Sequence, residues 1–263
     1  MYLLNSISIW NFIDEENDIV DLTILFTENG FDAVSFTPES IFRLSKSKIS
    51  KLKSVIDEKR IPVTIHADFN ISTNEIDKLF DIFDNSLKCI SLDPRCKIDQ
   101  DGNFFESLNV IKTLEYLIDK TESKGILFGL EDFPLDSNAL KNHSNQMQRI
   151  LKCPRYGILL DLGHMNLRIN NHAYFKNKGI IKYITDIPVK IIELHVHDND
   201  SLGDKHMPPG KGVLDYNTVV NTLKELKFNS IATLEIAPKR YNSTPTMEIE
   251  SAIQGVQFWR NMY

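Results

Sequence analysis

"KIIELHVHDNDSLGDKHMPPGKG", residues 190–212, is the stretch on which the fold turns. It begins as an apolar, β-branched run in which Glu193, His195 and His197 alternate, so an extended backbone points all three to one face. It then collects Asp198, Asp200, Asp204 and His206, with Asp215 just beyond. Pro208, Pro209, Gly210 and Gly212 shape a tight turn in the same loop. A strand that runs straight into a loop of metal-binding and proton-moving groups raises one question for the fold: whether other strands end the same way.

Seven further segments have the same strand character: "LLNSISIW", "FDAVSFTP", "IPVTIHAD", "LKCISLDP", "ILFGLEDFP", "YGILLDLGH" and "SIATLEIAP". They are short, mostly continuous hydrophobic runs, as buried parallel strands read. Helical faces lie between them. Ile76, Leu79, Phe80 and Phe83 share one; Val110, Ile111, Leu114, Leu117 and Ile118 share another. Two more are Val219, Val220, Leu223 and Leu226, then Ile249, Ile253 and Val256. The stretch after "YGILLDLGH" reads more weakly, as a short helix plus irregular loop. Eight β–α repeats in 263 residues predict an α/β fold, a single (β/α)₈ TIM barrel spanning residues 1–263 as one domain. A doubly wound open sheet of similar length is disfavoured, because no GxGxxG or GxxxxGK loop follows any strand. No Pro-, Gly- or Ser-rich linker divides the chain.

Composition narrows the function classes. The chain is 42% hydrophobic and 25% charged, with a formal charge of −6, which disfavours a phosphate backbone as partner. Cys89, Cys96 and Cys153 have neither CxxC nor zinc-ribbon spacing, which suits reduced thiols in a cytoplasm. The first residues, "MYLLNSISIW", lack the basic leader of a signal peptide, and no apolar run approaches a membrane span of about twenty residues.

Barrel enzymes carry their chemistry at the C-terminal strand ends. Those ends hold His66 and Asp68 on the third strand, Asp93 on the fourth, and Glu131 and Asp132 on the fifth. Asp161 and His164 follow on the sixth, His195, His197 and Asp198 on the seventh, and Glu235 on the eighth. Charges inside runs such as "ILLDLGH" and "ATLEIAP" are costly unless paired or metal-bound. Any one of them alone more often caps the next helix or forms a salt bridge. Together, Glu131, Asp161, His195 and Glu235 come from four successive strands about 4.8 Å apart, so they can point at one centre. Three carboxylates and an imidazole suit a divalent metal ion: Mn²⁺, Co²⁺, Mg²⁺, Zn²⁺ or Fe²⁺. His143 and His172 fall in polar segments and read as solvated, and Asp14, Glu15, Glu16 and Asp18 as first-turn helix acids.

These motifs resemble the xylose isomerase-like barrel superfamily. It includes sugar and sugar-phosphate isomerases and epimerases, hydroxypyruvate isomerase, inosose dehydratase and endonuclease IV. "GLEDFP" with Glu131, "LLDLGHMN" with Asp161 and His164, and "LHVHDN" with His195 and Asp198 carry the resemblance. So do "DKHMPPGKGVLDY" with Asp204 and His206, and "TLEIAP" with Glu235. It implies one divalent ion held by Glu131, Asp161, His195 and Glu235. That ion would chelate adjacent oxygens of an open-chain sugar or hydroxy-ketone and stabilise an enediolate. Glu131 and Glu235 would move the carbon-bound proton, and His164 would contact a substrate oxygen. His66, His197 and His206 would bind substrate. Asp93, Asp204 and His206 are the candidates for holding additional ions. The alternative is an endonuclease IV-like apurinic-site phosphodiesterase with a multi-zinc site. A related lyase or dehydratase, or a non-catalytic metal-binding barrel, is the lesser alternative. Against the nuclease stand the acidic chain and Asp93, where that family has a histidine. Ser35 stands where many sugar-directed members carry a glutamate, which leaves the substrate within the carbohydrate-like class unassigned.

Overall fold

The computed structural model describes residues 3–93, 108–132, 138–139, 141–142, 145 and 156–263. Cys96, His143 and Cys153 lie outside the described residues. Eight parallel strands close into a barrel in the order β1 to β8. They are Leu4–Ser8, Ala33–Phe36, Val63–Asp68, Leu87–Asp93, Leu127–Glu131, Tyr156–Asp161, Ile191–Val196 and Ile231–Leu234. Each falls within one of the eight segments expected from sequence. The mostly apolar runs follow from burial: every residue of β6 and of β7 is buried, so neither strand has a solvent-facing side.

Local sequence starts the helices. Ser72 and Glu75 form a reciprocal capping box ahead of Thr73–Phe83, which buries the predicted face of Ile76, Leu79, Phe80 and Phe83. Asp215 caps Tyr216–Glu225, which buries Val219, Val220 and Leu223; Leu226 lies past its end and is exposed. The last helix, Pro245–Met262, turns Ala252, Val256 and Trp259 inward and leaves Ile249 and Ile253 half-buried. Its face is therefore centred on Trp259, the largest fully buried side chain. The stretch after β6 is more helical than expected, with Leu162–Asn171, Ala173–Lys176 and Gly179–Thr185. Of the early acids, only Asp18 caps a helix; Asp14 instead accepts the Glu16 and Asn17 N–H groups in a turn. No helix among the described residues is long and apolar enough to cross a membrane.

The chain divides into two compact units. One comprises residues 1–35, 160–186 and 193–263 and carries β1, β7 from Glu193 onward and β8, with Asp161 at the end of β6. In it, His195 pairs across the ladder with Thr233, whose hydroxyl donates to the buried Glu193 carboxylate at 2.8 Å. The other comprises residues 36–159 and 187–192 and carries β3, β4 and β5. There His66 pairs with Ser91, Asp68 with Asp93, and Glu131 with Leu159.

Gly157 of β6 shows how tightly the second unit is packed. A Cβ there would sit 2.4 Å from Ile192 and 2.5 Å from the Lys190 carbonyl oxygen, and the latter is backbone and cannot step aside. Gly157→Ala is therefore expected to destabilise the protein by about 1–3 kcal/mol, as overpacking does. Denaturant unfolding measures this, and an unchanged midpoint would contradict the packing.

Candidate metal centre and active site

Asp161 ends β6 and begins the helix Leu162–Asn171, and both positions use its carboxylate. Oδ1 accepts the His164 N–H at 2.7 Å as a helix cap. The same oxygen lies 2.9 Å from Nε2 of His197. Oδ2 lies 3.4 Å from His164 Nδ1 and 3.8 Å from His195 Nδ1. Asp161 is fully buried, so the cap expected of a strand-end acid and a place in a polar cluster coexist in one side chain. Across the neighbouring strands, His195 Nδ1 lies 2.9 Å from Glu235 Oε2. Asp161, His195 and Glu235 are thus brought together.

His197 is wholly buried and stacks on His206 with ring centroids 3.7 Å apart. His206 has a left-handed backbone, φ 50°, and its Nδ1 donates to the Glu235 carbonyl at 3.0 Å. Its Nε2 lies 3.1 Å from Asp204 Oδ1, which also lies 3.3 Å from His164 Nε2. Within this unit, two groupings of potential ligands result. One atom from each of Asp161, His197 and Glu235 lies within 4.8 Å of the others, and so do atoms from His164, His197, Asp204 and His206. His197 Nδ1 is a buried nitrogen without a hydrogen bond among the described residues. Buried polar atoms of this kind, beside carboxylates, fit a divalent cation.

Charges in this cluster are strongly perturbed. Burial alone would raise the Asp161 carboxyl, but the charges of His164 and His197 and hydrogen bonding from His195 and His197 hold it well below the usual range. Burial alone would lower His195, yet Glu235 and Asp161 hold its pKa well above the usual 6.5. Glu235 is held low against burial by His195 and His206. His206 is raised against burial by Glu235 and Asp204. Asp204 is held low against burial by its hydrogen bonds with His164 and His206. For His197, burial wins over Asp161 and the pKa falls, although its Nε2 faces the Asp161 carboxylate.

The loop from 198 to 214 is built around Asp198, a buried carboxylate. Oδ1 accepts the N–H groups of Asn199 at 2.9 Å and Leu214 at 3.1 Å, and Oδ2 accepts that of Gly210 at 3.1 Å. Gly212 must be glycine, since a Cβ would lie 2.2 Å from the Asn199 carbonyl and 2.3 Å from Asp198 Oδ1. The Tyr216 hydroxyl donates to the His197 carbonyl at 3.1 Å.

In the second unit, Glu131 is buried at the end of β5 and its Oε2 lies 3.6 Å from His66 Nε2. His66 Nδ1 lies 3.2 Å from the Ser91 hydroxyl. His66, Asp68 and Asp93 line a cavity of about 680 Å³ with Thr37, Phe42 and Arg43. Sequence reasoning missed Arg240, which forms an ion pair with Asp204, and the structural part played by Tyr216. Arg240 stands 36 positions from Asp204, in a turn with no motif of its own, so nothing local signalled it.

Residues 103–262, more than half of the chain, match the family described as the xylose isomerase-like TIM barrel, and the chain belongs to that family. It is 26% identical over 227 residues to the uncharacterized protein MJ1311 of Methanocaldococcus jannaschii, covering 79% of this chain and 75% of that one. Among solved structures, a D-psicose 3-epimerase with D-tagatose from Clostridium cellulolyticum H10 is similar with a TM-score of 0.68 at 14% identity. That likeness covers 98% of this chain and 99% of the epimerase. The IOLI protein with a bound zinc atom is similar with a TM-score of 0.64 at 16% identity, covering 96% of each chain. At these identities the structural likenesses establish the fold.

Asp198→Ala removes one acceptor from three N–H groups. Hydrogen bonds to charged groups contribute about 1.5–3 kcal/mol each and add incompletely, so a loss of about 3 kcal/mol is expected. Denaturation of the metal-free protein measures it, and a loss under about 0.5 kcal/mol would show that Asp198 does not hold the loop.

Proposed function

We propose that the chain works as one barrel domain and is a divalent-metal-dependent isomerase or epimerase of an open-chain sugar or small hydroxy-ketone. The convergence of Asp161, His195 and Glu235 carries this reading, with a His195–Glu235 separation of 2.9 Å. The fold shared with a D-psicose 3-epimerase and with a zinc-bound protein supports it. We assign Glu131, at the end of the adjacent β5, as the fourth ligand on strand order and sequence pattern. A divalent ion, Mn²⁺, Co²⁺, Mg²⁺ or Zn²⁺, supplies fixed positive charge where negative charge develops as a C–H beside a carbonyl loses its proton.

The chain's own residues do the rest. Glu235, held in its ionised form, is a base for a carbon-bound proton, and Glu131 is its counterpart for return. His164 is 11% exposed at the mouth of its cluster and presents an imidazole to a substrate oxygen. His66 and His206 line the approach. We place His197 behind Asp161, because its Nε2 is committed to that carboxylate and the side chain is wholly buried. A second reading, the apurinic-site phosphodiesterase, is favoured by one observation: the further grouping of His164, His197, Asp204 and His206. Phosphodiester hydrolysis of that type uses two or more close ions.

Two outcomes follow. His195 is protonated in the metal-free protein at neutral pH, because its pKa is raised, and it must lose that proton to ligate. Ion binding should therefore release about one proton near neutral pH, and affinity should fall as pH drops below the raised His195 pKa. Calorimetry in buffers of different ionisation enthalpy reads this, and a proton count of zero would remove His195 from the ligand set.

In deuterated water, the metal-loaded protein should exchange a carbon-bound proton of D-psicose, D-tagatose or a three-carbon hydroxy-ketone, followed by NMR. Glu131→Gln and Glu235→Gln should abolish exchange, with metal affinity titrated separately. Asp161→Ala should lose roughly tenfold or more in metal affinity. Incision of abasic DNA by protein carrying two or more ions per chain would overturn the isomerase reading in favour of the nuclease.

A further inference from the structure

We infer that Arg240 takes the place of a second metal ion and limits this centre to one divalent cation; the inference rests on the metal-binding reading above. Arg240 lies in the short turn Pro238–Tyr241 that follows β8. That turn is tied to the loop after β7, since the Ala237 N–H donates to the His206 carbonyl at 3.0 Å. From there the Arg240 guanidinium forms an ion pair with Oδ2 of Asp204 and donates to the Asp204 carbonyl at 3.4 Å. The other Asp204 oxygen faces His164 Nε2 at 3.3 Å and His206 Nε2 at 3.1 Å. Asp204 is therefore shared between a fixed cation on one side and two imidazoles on the other.

This matters because of the composition of the second ligand grouping. His164, His197, Asp204 and His206 have the spacing to hold an ion, but Asp204 is the only carboxylate among them. Any cation there depends on the one negative charge that Arg240 already compensates. The charge at this second grouping is local: Asp204 brings one negative charge, and the Arg240 guanidinium is already set against it. A second divalent ion, with Arg240 in place, would put two cationic groups on one carboxylate among three imidazoles, which is unfavourable. An arginine suits the task because its guanidinium stays charged at every physiological pH and forks onto a carboxylate. The Arg240 side chain is 46% exposed, so an ordinary surface ion pair is the competing account. A surface ion pair would leave the metal count unchanged, which makes that count the discriminating readout.

The experiment compares wild-type protein with Arg240→Gln and Arg240→Lys. Each is stripped with a chelator, checked for folding by its melting transition, and titrated with Zn²⁺ and separately with Mn²⁺ against a competing chelator. Tightly bound ions per chain are then counted. Wild type and Arg240→Lys should hold one ion. Arg240→Gln should hold two, with second-ion affinity raised about tenfold or more over wild type, and its Mn²⁺ form should show a spin-coupled electron paramagnetic resonance signal. Arg240→Met serves in place of Arg240→Gln should the latter fail to fold. One ion in both wild type and the neutral variant overturns the inference and leaves the proposed function standing. Two tight ions in wild type, with Arg240 present, also overturn it. A wild type that takes no ion removes the metal-binding reading and the inference together.

Discussion

A fully buried carboxylate at the end of an apolar strand is the constraint around which this site is arranged. Asp161 cannot be ionised there without partners, and an unpaired buried charge costs several kcal/mol. Its partners come from two places: the first turn of the following helix, through the His164 N–H, and the end of β7, with His195 in the strand and His197 just past it. Those contacts fix the direction of the helix after β6 and the rotamer of His197. They also fix the position of the imidazole that faces Glu235. Removing Asp161 would therefore disturb a ligand, a helix cap and a histidine orientation at once, which is why its effect must be read in metal affinity and not in activity alone.

The loop after β7 extends the same logic outward. Asp198, again buried, gathers three backbone N–H groups and brings the chain back over His197. The His206 ring then lies flat on His197, and Asp204 reaches His164. A buried polar network of this density specifies one geometry when fully satisfied and is costly when it is not. Its outer edge is the Arg240 pair, where the network meets solvent. The cluster thus runs from a strongly perturbed interior to an exposed latch, and the proton and metal chemistry proposed for it draws on the interior end.

Much of this was legible in the sequence, for a physical reason. Parallel strands buried on both faces read as unbroken apolar runs, so all eight strands stand out, and a charge in such a run is conspicuous. Asp161, His195 and Glu235 were visible in that way, and the observed cluster contains all three. What sequence could not supply was the partition of roles inside one strand. His195 and His197 share a face of "ELHVHD", yet the Glu235 charge raises the basicity of the first and burial lowers that of the second. Period alone also mislaid the face of the last helix, because Trp259 and not Ile249 sets its packing. Long-range pairs such as Arg240 with Asp204 leave no local trace, and Asp14 made a turn where charge alone suggested a helix.

Anomalous diffraction from crystals grown with Mn²⁺ tests the central claim most directly. The account predicts a peak at the metal's absorption edge within about 2.5 Å of ligand atoms from Asp161, His195 and Glu235, with a Glu131 oxygen completing the set. A peak whose ligands exclude Asp161, or no peak at these residues in crystals saturated with the ion, would contradict it.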